Sequence, residues 1–279
     1  MKPAIAQVCS LPAPLARQVE DYAAGQCRAL EIWLTKLEEY LRHHSLDEVR
    51  QLMARNGMAM PVASFQGGLL LSSGLLRDEA WDLFARRLEL CRELGIATLV
   101  VAPDASGSAT EADFERLHRS LGEAAELAAS RQVRIAVEFQ AKAPLLNNLQ
   151  TAVAVVEAIG HPALGICFDA FHFAVGPSKY EDLGCLAAEH LFHVQLCDLS
   201  EMPRELATDS HRILPGDGDL PLALVVERLR QIGYDGYVSV ELMNHQLWQV
   251  ATRTFGEIAM TSLRCILGQA SMGESSPVI

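Results

Sequence analysis

The feature that most limits what this chain can fold into is an alternation. A short apolar run of β-forming residues is followed by a longer amphipathic run, and the pair repeats along the sequence with small linkers. The β-type runs fall near residues 4–9, 29–34, 58–64, 96–102, 133–138, 163–168, 191–197 and 237–241. Between them, Trp81, Phe84, Leu88 and Cys91 recur three and four apart, as do Phe114, Leu117 and Leu121. That spacing predicts helices with one face against a sheet. Ser45 with Glu48, and Thr110 with Asp113, have the spacing of a capping box at a helix start. Gly57, Gly95, Gly160 and Gly233 each follow a helical run and precede a strand, where a left-handed C-cap favours glycine.

Eight β-runs in this alternation predict an α/β fold, a single (β/α)8 TIM barrel. An open doubly wound sheet is the second choice, because no glycine-rich nucleotide fingerprint follows the first strand. The 279 residues, 50% of them hydrophobic, suffice for one large core. No internal boundary interrupts them, so residues 1–270 read as the barrel domain and 271–279, with Gly, Ser and Pro, as a flexible tail. The excess of 35 acidic over 23 basic residues, a formal charge of −12, repels a phosphate backbone and argues against nucleic acid as a partner. Seven cysteines, odd in number and without a CxxC pair, read as reduced core residues. MKPAIAQVCSLPAP lacks a signal-peptide core and no run approaches the length that spans a bilayer, so a cytoplasmic protein with no membrane partner is expected. A homo-oligomer stays open.

The chemistry concentrates where four of the later strands end. VRIAVEF closes on Glu138, LGICFD on Asp169, FHVQ on Gln195 and YVSVE on Glu241. In a parallel barrel the working groups stand at the C-terminal strand ends, so these four converge at one mouth. Side-chain alternation then points Ala136, Cys167, His193 and Ser239 inward one layer below. Taken singly, each carboxylate is equally well a helix N-cap or half of an ion pair. Three together in one cleft repel one another strongly or take up protons, whereas a divalent cation makes their proximity favourable, so the set points to one metal ion. Three carboxylates and an amide oxygen form an all-oxygen shell, which favours Mn²⁺ or Mg²⁺ over Zn²⁺ or Co²⁺. For Gln195 to offer its oxygen, its NH₂ group needs an acceptor behind it.

His172, three residues after Asp169 in the following loop, comes within reach of the same site. His193 lies one layer below Gln195, as a hydrogen-bonded interior residue or a ligand. Arg212 opens RILPGDGDL, a turning loop that can hold a guanidinium over the mouth for a substrate oxygen; the competing reading pairs it with Asp217 or Asp219. Glu31 with Trp33, and Phe65 with Gln66, end strands two and three and line the pocket or pack the core; Trp248 is open in the same way.

Glu138 ending its strand, Asp169-x-x-His172, VQLCD around Gln195, Arg212 before PGDGD, and YDGYVSVELMN around Glu241 occur in an order that resembles the xylose-isomerase-like TIM-barrel superfamily over nearly the whole chain. That superfamily includes the sugar phosphate isomerases and epimerases, ketose 3-epimerases, inosose-processing enzymes, 3-dehydroshikimate dehydratases and endonuclease IV. The resemblance implies that Glu138, Asp169, Gln195 and Glu241 ligate the metal, that His172 and Arg212 contact substrate, and that Glu138 and Glu241 exchange protons with it. Ketose 3-epimerases usually carry histidine where Gln195 stands, and glutamine there is similar to the dehydratases. Against the dehydratases, Phe65 and Gln140 occupy places where a carboxylate-binding base is expected. Asp209-x-His211 is similar to part of the endonuclease IV cluster, whose remaining ligands are missing.

The function expected is therefore metal-dependent isomerisation or epimerisation of a small sugar or other polyhydroxylated carbonyl compound through an enediolate. Dehydration of a 3-dehydroshikimate or inosose type is the first alternative. A non-catalytic sugar-binding barrel is the second.

Overall fold

A computed structural model describes residues 1–104 and 107–269; the expected tail 271–279 lies outside the described residues. Strands β1 (Lys2–Ala6), β2 (Ala29–Trp33), β3 (Ala59–Gln66), β4 (Thr98–Val101), β5 (Arg134–Glu138), β6 (Leu164–Asp169), β7 (Leu191–Leu196) and β10 (Tyr237–Val240) are parallel. They close into a barrel in the order β1-β10-β7-β6-β5-β4-β3-β2. Between β7 and β10 the chain inserts a small antiparallel pair, β8 (Asp198–Leu199) with β9 (Arg212–Ile213). The helices are α1 (Leu15–Ala24), α2 (Leu34–Tyr40), α3 (Leu46–Arg55), α4 (Gly74–Leu94), α5 (Glu111–Ala129), α6 (Leu149–Ile159), α7 (Ala170–Val175), α8 (Leu222–Gln231) and α9 (Thr252–Ile266).

The local signals act where the sequence puts them. Ser45 and Thr110 cap α3 and α5 as reciprocal boxes with Glu48 and Asp113. Gly57, Gly95, Gly160 and Gly233 all take positive φ, which releases the chain from each helix into the next strand without the steric cost a Cβ would add. On α4, Phe84, Leu88 and Cys91 are buried, and Leu117 and Leu121 are buried on α5. Phe114 departs from the expected stripe and is 40% exposed, because it lies in a surface groove beside α6.

Two apolar clusters result. The larger lies between strands and helices; Val62, Val100, Ala136, Cys167 and Phe192 form a separate one inside the barrel wall. Strand β1 is shorter than the run 4–9 predicts. After Ala6 the chain turns into a 3-10 helix over Gln7–Ser10, which lets the Gln7 amide donate to Gln18 Oε1 at 2.8 Å and accept the Trp33 N–H at 2.8 Å. Among the described residues no helix is long and apolar enough to cross a membrane.

Candidate active site

Glu138, Asp169, Gln195 and Glu241 stand at or just past the ends of β5, β6, β7 and β10, four adjacent staves of the barrel. All four are buried. Glu138, Gln195 and Glu241 line a cavity of about 290 Å³ with Trp33, Ser64, Phe65, Val100, Gln140, His172, Asp209, Arg212 and Met243. The opposite wall thus comes from β2, β3 and β4, where Trp33 and Phe65 pack with ring centroids 5.1 Å apart. Trp248 does not line this cavity; its indole N–H donates to the Val8 carbonyl.

Asp169 shows how one residue meets two demands. Its Oδ1 caps α7, accepting the N–H groups of Phe171 at 2.6 Å and His172 at 3.0 Å. Its Oδ2 stays turned to the site and accepts Arg212 Nη1 at 2.7 Å. The N-cap and the functional readings are both realised. His172 belongs to α7 rather than to a loop, and its ring nitrogen is within ligand range of Glu138 and Asp169: one donor atom from each of the three lies within 4.8 Å of the others.

Arg212 reaches the site through the β8–β9 insertion. Asp198 Oδ1 accepts the N–H groups of Leu199 and Leu220, and its Oδ2 that of Gly216, so one buried carboxylate gathers the whole PGDGD loop. Gly218 has no substitute here, since a Cβ would lie 2.5 Å from Asp198 Oδ1 and 2.4 Å from the Leu199 carbonyl oxygen. Arg212 then pairs with Leu199 across the ladder and turns its side chain into the barrel, 1% exposed. The expected alternative partners, Asp217 and Asp219, are not the ones it takes. Nη1 donates to Asp169 and, at 3.0 Å, to Glu241 Oε2; Nε donates to Asp209 Oδ1 at 2.9 Å; the guanidinium also stacks over Phe171. The loop's acidic residues lie past the turn, whereas β9 aims Arg212 inward. Its Nη2 is buried with no partner among the described residues.

The layer below is polar as well. Fully buried Glu31 contacts His193 Nε2 through Oε2 at 2.8 Å, and Ser239 Oγ lies 3.2 Å from the same nitrogen. His193 is thus the hydrogen-bonded interior residue, and Glu31 is its partner. Gln195 donates its NH₂ to Glu31 Oε1 at 2.8 Å and to Glu241 Oε1 at 3.0 Å, and its Oε1 accepts from Cys167 Sγ at 3.0 Å.

These contacts set the acidities. Burial, then Asp169, pushes the Glu138 carboxyl up to about 8. Burial raises Glu241 well above the ordinary range against the pull of Arg212. Burial alone would raise Asp169 and Glu31 too, but Arg212 with His172 brings Asp169 down to about 2, and the His193 ring holds Glu31 below the usual range. Burial also lowers His172, with Arg212 adding to it against Asp169. In a low-dielectric pocket, one guanidinium does not balance Glu138, Asp169 and Glu241. Protons on Glu138 and Glu241 relieve that imbalance here, and the donor set also fits a divalent cation, which would take their place.

In the loop after β5, Lys142 escaped the sequence reading and the contact of Gln140 was not foreseen. Gln140, set aside there as a poor carboxylate clamp, donates to Glu138 Oε2 at 3.2 Å. Lys142 lines a side chamber of about 270 Å³ that shares Gln140, His172 and Asp209 with the main cavity. A polar residue in an irregular loop has no periodicity to reveal its direction; the only signal was proximity to Glu138.

A closed parallel barrel with ionisable groups gathered at one strand-end mouth defines a TIM barrel of the enzyme type. The chain matches the model of the xylose isomerase-like TIM barrel over residues 21–265 and belongs to that family. An inosose isomerase of Bacillus velezensis is 28% identical over 254 residues, spanning 87% of this chain and 88% of its own. A 3-dehydroshikimate dehydratase of Pseudomonas putida is 29% identical over 274 residues, 94% of this chain and 41% of its own. The crystal structure of the IOLI protein with a bound zinc atom superposes with a TM-score of 0.90 at 22% identity, covering 98% of this chain and all of that one.

Proposed function

We propose that this protein is an isomerase or epimerase of a small polyhydroxylated carbonyl compound, acting with one divalent metal ion held by Glu138, Asp169, Gln195 and Glu241. The observation that carries the reading is the clustering of three buried carboxylates on adjacent strand ends with one shared guanidinium. The inosose isomerase relative supports it, spanning most of both chains. A bound cation polarises a carbonyl and makes removal of the neighbouring proton less costly.

The protein side chains do the rest. Glu138 and Glu241 stand at the two ends of the four-strand arc, so they face a bound carbon from opposite sides. Burial that pushes the Glu138 carboxyl up to about 8 in the cation-free protein supports Glu138 as one of the two proton carriers. Arg212, with Nη2 uncommitted, and His172 orient substrate oxygens. Trp33, Phe65 and Met243 keep water from the apolar side, which strengthens every charge interaction in the cavity.

The oxygen-rich shell favours Mn²⁺ or Mg²⁺. Activity lost to a chelator is expected to return more fully with either than with Zn²⁺, and Gln195→His to shift the preference toward Zn²⁺ or Co²⁺. Stoichiometric zinc in the protein as purified, with no recovery in Mn²⁺, would overturn that choice.

A second reading, loss of water from the same intermediate, is favoured by one observation: Lys142 in the side chamber offers a cation for a substrate carboxylate. Proton NMR in D₂O on a panel of inososes, ketohexoses and 3-dehydroshikimate separates the two. An isomer with deuterium at the exchanged carbon is expected. An unsaturated product lacking one water assigns a dehydratase instead, and no change in any substrate sinks both.

A further inference from the structure

Beneath the mouth, a single acidic side chain crosses from the other half of the barrel. Glu31 comes from β2, is 0% exposed, and is not part of the cavity lining, so it does not touch substrate. What it holds is the Gln195 amide. A glutamine amide has nearly the same shape either way round, but only its oxygen is a useful donor to a hard cation. An ionised carboxylate can only accept hydrogen bonds, so the Glu31 Oε1 contact at 2.8 Å requires the Gln195 nitrogen on that side. Glu241 Oε1 takes the second N–H, and the Cys167 thiol, one layer below Asp169 on β6, donates to the oxygen, occupying one of its two lone pairs. A flip would set the oxygen against the ionised Glu31 carboxylate and the NH₂ against a thiol. Glu31 itself is held by His193 Nε2, which also meets Ser239, in a packed layer without water access.

We infer that Glu31, locked by His193, is a positioning residue that fixes the Gln195 amide end for end, its nitrogen clamped to Glu31 and Glu241 and its oxygen left as the atom a cation can take. This rests on the proposed role of Gln195 as a ligand. Glu31 thereby couples β2 to the chemistry of β5, β6, β7 and β10 without entering the cavity.

The test is calorimetric titration of chelator-stripped protein with Mn²⁺. Glu31→Gln is expected to weaken binding about 10–100-fold. The exchange Glu31→Gln with Gln195→Glu keeps the net charge and provides a ligand with two equivalent oxygens, so binding is expected to return toward wild type. A merely structural Glu31 would lower the melting temperature and leave the Mn²⁺ affinity unchanged, which overturns the inference; so does failure of the exchange to recover binding. If the single variant does not fold, the exchange variant decides alone. Gln195→Ala separates the two layers of argument. If it binds Mn²⁺ as wild type does, the ligand role of Gln195 falls; if it loses affinity while Glu31→Gln does not, only the positioning role falls.

Discussion

The two halves of the barrel mouth are built from the same element, a strand end, and filled with opposite chemistry. β2, β3 and β4 contribute Trp33, Ser64, Phe65 and Val100, while Glu138, Gln195 and Glu241 come from the ends of β5, β7 and β10, with Asp169 of β6 buried behind them. Concentrating the carboxylates on one arc makes their repulsion large, and that is what makes a cation favourable there. Putting aromatic surface on the other arc lowers the local dielectric and deepens the same effect. Each half therefore sets the energetics of the other. Glu31 is the exception in the first half, and it sits one layer too deep to meet substrate.

The largest effect expected is from Glu241→Ala. Turnover should fall about 10²–10⁴-fold, with the far-ultraviolet circular dichroism unchanged, since a candidate ligand and proton carrier is lost from a strand end. Full activity in the metal-replete variant would remove Glu241 from the chemistry of the polar arc. Next is Arg212→Ala, which leaves Asp169 and Glu241 buried without their counter-ion. Urea unfolding of the chelator-stripped variant should show a loss of about 3–5 kcal/mol, partly recovered on adding Mn²⁺. Turnover should fall while Mn²⁺ still binds; loss of Mn²⁺ binding as severe as in Glu138→Ala would show that Arg212 instead maintains the ligand geometry.

A third experiment varies pH. Glu138 is raised to about 8 in the folded state, so the folded chelated protein holds a proton that the unfolded chain gives up near the ordinary glutamate value of 4.5. The associated stability is present in acid and lost as pH rises through about 8. The melting temperature of chelated protein should drop between about pH 5 and 8, and Glu138→Gln should flatten that drop. An unchanged slope in the variant would place the responsible group elsewhere. The smallest effect belongs to the apolar half: Phe65→Ala, removing part of the wall, should raise KM roughly 10-fold with kcat and Mn²⁺ affinity little changed. A collapse of metal binding instead would show that the two halves are not separable.

Much of this arrangement was legible along the chain, because it is written in local, periodic code. Glu138, Asp169, Gln195 and Glu241 each close an apolar run, and strand parity places Cys167, His193 and Ser239 beneath them. The contacts of Arg212, Lys142 and Gln140 were not legible, since each depends on how an irregular segment turns. The competing reading, Arg212 paired with Asp217 or Asp219, is not the one realised, because Asp198 binds that loop through the N–H groups of Gly216 and Leu220 and a two-residue ladder redirects the side chain.

What the sequence determined by itself is the set of βα units, their caps and the strand ends that carry polar groups, all of which follow from interactions between residues a few positions apart. Only barrel closure decided which of those groups meet. Gln195 finds Glu31 164 positions away, and Arg212 finds Asp169 43 positions away. No local propensity encodes such pairings: the partners become neighbours when β1 and β10 join, and burial there makes their hydrogen bonds obligatory.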